Sequence, residues 1–253
     1  VGSHLREPSL RVIAFCVMTL VCRFALAAMP VTVTYAEQAV KLSRGTAMYS
    51  AGRGAVLLPN DLLMSDASTV LLDAGGATVA VGPASALFVR DGELVLLAGW
   101  LKVDGGAARA LPLATGGLQF DGAGSAATLH ATPGTAELFA ESAAIAVLPL
   151  PANKLSRRTT IPREQFGVRT GARPLQVIAR PPAAFLAGMP RTFLDPLVAV
   201  PVKGPAAPPR RERAATLAEL APLLADHPAL RQQMRARFHP PRDRAAKPSP
   251  LPR

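Results

Sequence analysis

Cysteine is confined to Cys16 and Cys22, near the start of this 253-residue chain. Disulfide scaffolding, thiol nucleophiles and cysteine metal sites are thereby excluded from everything that follows. Aromatic residues are scarce, at 5%, which predicts a core built of Leu, Val and Ala. Acidic residues thin out along the chain. Residues 151–253 carry 6 Asp+Glu against 19 Lys+Arg, a net +13, whereas residues 28–150 carry 10 against 6, a net −4. Walker, HExxH, SxxK and GxSxG motifs are missing, and beyond residue 27 the histidines are only His130, His227 and His239, in three different contexts. No metal site and no cofactor is predicted. His130 lies near Ser125 and Asp121, a spacing that admits a hydrolytic triad. These residue types recur by chance in β-domains, so the chain is expected not to be an enzyme, and a cell-wall hydrolase is the least favoured reading.

What is present begins with Arg6 and Arg11, followed by a run from Val12 to Leu26 that is apolar apart from Thr19 and Arg23. Ala25 and Ala27 put small side chains at the −3 and −1 positions of a signal-peptidase site, ahead of Ala28-Met29-Pro30. This reads as a secretory signal over residues 1–27 and a mature protein in the periplasm. The alternative is an uncleaved anchor in the inner membrane, but the run is shorter than the ~20 residues a spanning helix needs. Cys16 follows Phe15 and Cys22 follows Val21, where lipidation requires a small residue.

From Thr32 to Leu148 the pattern has period two and is broken by glycine turns; 15 of the 20 glycines lie between residues 28 and 150. Val70–Leu72 and Thr78–Val81 flank Asp73-Ala74-Gly75-Gly76, a hairpin. Further strands are predicted at Ala86–Val89, Glu93–Leu97, Trp100–Val103, Gly117–Phe120, Ala126–Ala131, Thr135–Ala140 and Ala143–Leu148. Short strands joined by tight turns describe an all-β antiparallel sandwich or rolled sheet over residues 28–150. Asp61 and Asp73 stand beside turns and are expected to bond their own backbone. Trp100, the only tryptophan, is expected in the core, with an exposed carbohydrate platform as the alternative.

Leu57-Leu58-Pro59-Asn60-Asp61-Leu62-Leu63, Ser68-Thr69-Val70-Leu71-Leu72-Asp73 and Val79-Ala80-Val81-Gly82-Pro83-Ala84-Ser85-Ala86-Leu87 together resemble the FecR domain, over about residues 40–150. Leu96-Leu97-Ala98-Gly99-Trp100-Leu101-Lys102-Val103 resembles that family's next repeat. Asn60 stands where the family usually has glycine. The family's signalling members place a cytoplasmic helical segment and a membrane span before this domain, whereas about 27 signal-like residues precede it here. The resemblance therefore implies an exported, non-catalytic β-domain that binds a protein, glycan or envelope component, without the transmembrane signalling role.

The second half has 18 of the 25 prolines. Residues 151–214 read as extended, linker-like chain. Within them, Phe185, Leu186, Met189, Phe193 and Leu194 are too apolar for a free linker, and should dock on the β-domain or on a partner. Residues 215–240 predict two short helices. Thr216-Leu217-Ala218-Glu219 has the spacing of a capping box and opens the first, which runs through Leu224 with a kink at Pro222. Asp226 is expected to cap the second, in which Leu230, Met234 and Phe238 share one face and Arg231, Arg235 and Arg237 flank it. Packing of that apolar face in cis is the plainer expectation; a basic amphipathic helix on an anionic membrane is the alternative. Residues 241–253 are expected to be a disordered basic tail. The pI near 10.9 would suit nucleic acid, but an exported protein seldom meets it, and 23 Arg against 5 Lys also reflects GC-rich coding. The candidate partner-binding residues are thus Phe185, Met189, Phe193, Arg231, Arg235 and Arg237. The expected partners are an envelope protein or glycan, or an anionic membrane surface. The leading reading is a binding or scaffold protein of the envelope; the alternative is a periplasmic ligand sensor whose C-terminal segment docks reversibly.

Overall fold

The computed structural model describes residues 30–106, 108, 110–150, 157–202, 204 and 207–239. The predicted signal and the predicted basic tail lie outside them.

The described residues form 18 strands and three short α-helices. The first nine strands are β1 (Val31–Ala36), β2 (Val40–Arg44), β3 (Ala47–Ala51), β4 (Val56–Leu57), β5 (Leu62–Met64), β6 (Val70–Ala74), β7 (Ala77–Val81), β8 (Ala86–Arg90) and β9 (Glu93–Asp104). They continue as β10 (Pro112–Thr115), β11 (Leu118–Asp121), β12 (Ala126–Thr132), β13 (Thr135–Ala140), β14 (Ile145–Pro149), β15 (Thr159–Ile161), β16 (Phe166–Thr170), β17 (Gln176–Ile178) and β18 (Arg210–Ala214). The helices are α1 (Ala183–Gly188), α2 (Leu217–Leu220) and α3 (Pro228–Phe238).

Two sheets result. One runs β4-β1-β6-β7-β9-β12-β13-β16-β17 and is antiparallel throughout. The other runs β18-β3-β2-β5-β8-β9-β10-β11-β14-β15 and is antiparallel except where β9 meets β10. β9 belongs to both: Glu93–Ala98 pairs with β8, and Gly99–Asp104 with β12. A bulge against Ala86 and Leu87 lets the strand change sheets. The inward positions accordingly switch from Leu94 and Leu96 to Leu101 and Val103. The space between the sheets is filled mainly by Val, Leu and Ala, with Phe120 as its one buried aromatic among the described residues, as the sparse aromatics predicted.

The composition change near residue 150 is not an architectural boundary. β15 extends the second sheet from β14, while β16 and β17 extend the first from β13. The expected extended segment 151–214 is therefore partly sheet. The reason is a recurring four-residue turn that does not depend on glycine. In turns 52–55, 58–61, 82–85, 122–125 and 162–165 the third residue is left-handed: Gly54, Asn60, Ala84, Gly124 and Glu164 have φ of 84, 72, 49, 66 and 61°. Four of these turns close with a backbone bond from the fourth residue to the first, as in Gln165 N–H to Pro162 O at 3.1 Å. Ala84, Gly124 and Glu164 recur every 40 residues, so the same unit continues past the proline-rich junction. Ala84 and Glu164 hold a conformation that costs a residue with a Cβ about 1 kcal/mol or more. Ala84→Gly and Glu164→Gly are each expected to raise stability by about 0.5–1 kcal/mol. A denaturation midpoint that fails to rise in both would contradict this account of the turns.

Candidate binding surfaces on the two outer faces

The C-terminal extension covers both outer faces of the sandwich. On the first sheet, alternation along β9, β12, β13 and β16 turns Trp100, Lys102, Thr128, His130, Glu137, Phe139 and Phe166 outward. His130 is the cross-strand partner of both Trp100 and Glu137. Its ring stacks on the indole with centroids 4.0 Å apart, and its Nδ1 lies 2.7 Å from Glu137 Oε2. The strap of residues 182–197 lies over this floor. From α1, Phe185 packs 5.0 Å from Trp100 and 4.8 Å from Phe166, centroid to centroid. Phe193, in a 3-10 turn at Arg191–Phe193, is 1% exposed, and Met189 packs beside it, half-buried.

A buried lysine fastens the strap. Lys102 is 3% exposed; its ammonium donates to Phe193 O at 2.6 Å and Asp195 O at 3.1 Å, and pairs with Glu141 Oε2 at 3.0 Å. Thr128 Oγ1 donates to the other Glu141 oxygen. The three donor positions of the ammonium are thus satisfied by two carbonyls and a carboxylate, which is what burial of this charge requires.

The second sheet turns Leu62, Ala86, Phe88, Val95, Leu97 and Ala114 outward, and the helices bury them with Leu220, Leu224, Leu230 and Met234. Thr216 accepts the Glu219 N–H at 3.4 Å, as the capping box predicts, but the Glu219 carboxylate turns to Arg213. Pro222 converts the rest of the first helix to a 3-10 turn, Ala221–Leu224. Asp226 does not cap α3. It accepts the Gly134 N–H at 2.7 Å, tying the helices to the β12–β13 hairpin.

The six candidate residues therefore divide. Phe185 and Phe193 are buried against the first sheet, with Met189 half-buried beside them, so in this conformation their apolar surface is not offered to a partner. The apolar face of α3 is likewise spent on the second sheet, which removes it as a membrane-resting face. Arg231 donates to Ala225 O and Arg237 to Asn60 O, at 3.0 and 3.2 Å, while Arg235 is exposed. Burial lowers the pKa of Arg237, an effect partly offset by the nearby Asp61. The exposed cations instead line β18, where Arg210, Arg211 and Arg213 decorate a sheet edge interrupted by a register shift; charge and irregularity at an edge both discourage strand addition.

Asp61 and Asp73 do serve turns. Asp61 accepts the Leu58 N–H and a two-pronged contact from Arg44, whose pKa is raised by that bond, and Asp73 accepts the Gly76 N–H. Asp121 and Ser125 likewise bond main chain, at Leu111, Ala123 and Gly122, and do not meet His130. Among the described residues no group of three His, Cys, Asp or Glu gathers as a metal site, and no helix is long and apolar enough to cross a membrane. Lys102 and Glu141 escaped the sequence reading, although Trp100-Leu101-Lys102 in a strand places the lysine on the tryptophan's face.

His227, at the start of α3, is held below its ordinary pKa first by burial, then by Arg90; Asp226 and a backbone bond to Leu97 act the other way. The folded state therefore prefers the neutral ring. Its contribution is fully present above about pH 6.5 and is lost as pH falls through the lowered folded value. Wild-type stability should drop more steeply below pH 6.5 than that of His227→Gln; parallel curves would refute this.

No protein-family profile matches the chain, and no curated protein matches it. Two solved structures are similar to parts of it. Both are described as a putative anti-sigma factor from Parabacteroides distasonis. One has 7% identity and a TM-score of 0.38, covering 46% of this chain and 58% of that one. The other has 9% identity and a TM-score of 0.41, covering 66% of this chain and 92% of its own length. The chain thus spans a little over half the length of the first.

Proposed function

We propose that this protein is an exported, non-catalytic recognition module of the FecR type, working at the cell envelope on a protein or glycan partner. The signal-like start and the resemblance of residues 40–150 support the compartment and the family. The observation that carries the reading is the extension itself. It runs from the face of one sheet, past the sandwich edge where Arg53 donates to Pro201 O at 3.0 Å, to the edge and face of the other. A body wrapped in this way presents turns and exposed arginines, the kind of surface suited to recognition.

The sensor reading is favoured by one feature. The strap is fixed by few groups, chiefly Phe185, Phe193 and the two carbonyl bonds of Lys102, so displacing it would uncover Trp100, His130 and Phe166. Cell fractionation with N-terminal sequencing tests the main reading, joined to crosslinking in intact cells. A mature form starting near Ala28 in the periplasmic fraction, crosslinked to an envelope component, is the expected result. An intact cytosolic form would overturn it.

A further inference from the structure

The two covers of the sandwich differ on their outer sides. Residues 207–239, over the second sheet, include nine charged side chains, whereas residues 181–202, which carry the strap, include two, Arg191 and Asp195. Seven large hydrophobic residues are exposed among the described residues, and five of them gather on the outer face of the first sheet. Leu186, Leu194 and Val198 stand on the strap and its continuation, the last two 65% and 74% exposed. Ile178 is the cross-strand partner of Phe166, and Tyr35 that of Leu71, so both point the same way as residues packed under the strap. Phe185-Leu186 and Phe193-Leu194 repeat eight residues apart, each Phe buried and each Leu in water.

The strap with its continuation is long. Phe185 rests on Phe166 of β16, and Ala199–Val202 border the same groove as Thr32 of β1. Six inter-strand gaps separate those strands, about 29 Å at ~4.8 Å each. Exposed apolar residues gathered along one face, rather than scattered singly, mark an interaction surface.

Charge selects the occupant. Beyond the pairs Lys102–Glu141 and His130–Glu137, the strap, its entry and the outward strand positions carry Arg180 and Arg191 against Asp73, Asp104 and Asp195. The face thus has no net positive charge, in a chain of formal net charge +11. An anionic lipid surface would require the reverse. Two copies of a strongly basic chain repel one another least where they meet through such a face. The two strap charges are of opposite sign, four residues apart, exposed, and in no ion pair among the described residues. Across a two-fold axis between them, Arg191 of each copy meets the partner's Asp195, the self-complementarity that an isologous contact requires.

We propose that this face binds a second copy of the chain, strap against strap, in a closed two-fold dimer. Leu186, Leu194 and Val198 form the apolar centre, with Tyr35 and Ile178 towards its ends. Association covers the strap from outside as the first sheet does from within, so the dimer keeps Trp100 and His130 covered. The inference does not rest on the exported, FecR-type reading.

Sedimentation equilibrium of the purified chain over a concentration series should show association that stops at two copies. Leu194→Ser should raise the dimer Kd about tenfold or more, because a two-fold contact counts each change twice. Its denaturation midpoint should stay at the wild-type value, since the side chain is exposed. Arg191→Asp and Asp195→Arg should each weaken association. An equimolar mixture of the two variants, or both changes in one chain, should restore it. A monomer at every concentration, open-ended aggregation, a wild-type Kd in Leu194→Ser, or a charge exchange that restores nothing would overturn the proposal. So would co-sedimentation with vesicles of phosphatidylcholine and phosphatidylglycerol that Leu194→Ser abolishes, because it gives the face to lipid.

Discussion

Replacing Gly99 with alanine is expected to cost about 3 kcal/mol or more, enough to unfold a large share of the molecules of a marginally stable domain. Gly99 is where β9 leaves one sheet for the other, and its φ is +83°. A Cβ there would lie 2.2 Å from Ser85 Oγ and 2.7 Å from Ser85 Cα. Relief by moving Ser85 has its own cost, because Ser85 Oγ accepts the Trp100 N–H at 2.8 Å and its N–H donates to Ser65 Oγ at 3.0 Å. The backbone cost and the clash can be measured apart. Gly76 has φ of +92° with open space around it, so Gly76→Ala should lose only the conformational part, about 1–2 kcal/mol. Equal losses for the two substitutions in chemical denaturation would mean that the close approach to Ser85 is not what constrains β9.

Substituting Lys102 with methionine should release the strap. The change keeps an unbranched apolar stem of the same length and removes the ammonium, leaving Glu141 and the carbonyls of Phe193 and Asp195 without their donor. Breaking a buried pair from one side costs about 3 kcal/mol. The loss should be local as well as global. Amide exchange across residues 183–195 should accelerate in Lys102→Met while the β12–β13 pairing stays protected. The double change Lys102→Met with Glu141→Leu should recover part of the stability, since it removes the stranded carboxylate too. Unchanged protection of residues 183–195 would show that Phe185 and Phe193 alone hold the strap.

The two halves of the chain differed in how openly they declared their structure. Strands with one face in the core announce themselves by alternation, so Ala126–Thr132 and Thr135–Ala140 fall where the period places them. Asp73 and Thr216 act locally, each on an N–H three residues ahead, and were legible for that reason. β15 to β17 were not. They are short, and their linking turn carries Glu164 where a glycine would have signalled it. Asp226 was misread because two sets of N–H donors lie within its reach, a helix N-terminus next door and Gly134 far along the chain, and only the packing of α3 selects the second.

Local residue chemistry by itself determined the all-β character, the aliphatic core, the turn-bound aspartates and the approximate places of the helices, because period, turn preference and capping act within a few residues. Tertiary structure alone decided that β9 serves two sheets, that the proline-rich half completes them, and that Phe185, Phe193 and the face of α3 are spent inside the molecule. It also brought Tyr35, Ile178, Leu186 and Leu194 to one face. Such contacts join residues tens of positions apart, and their energies depend on which surfaces are left to cover once the sheets have formed.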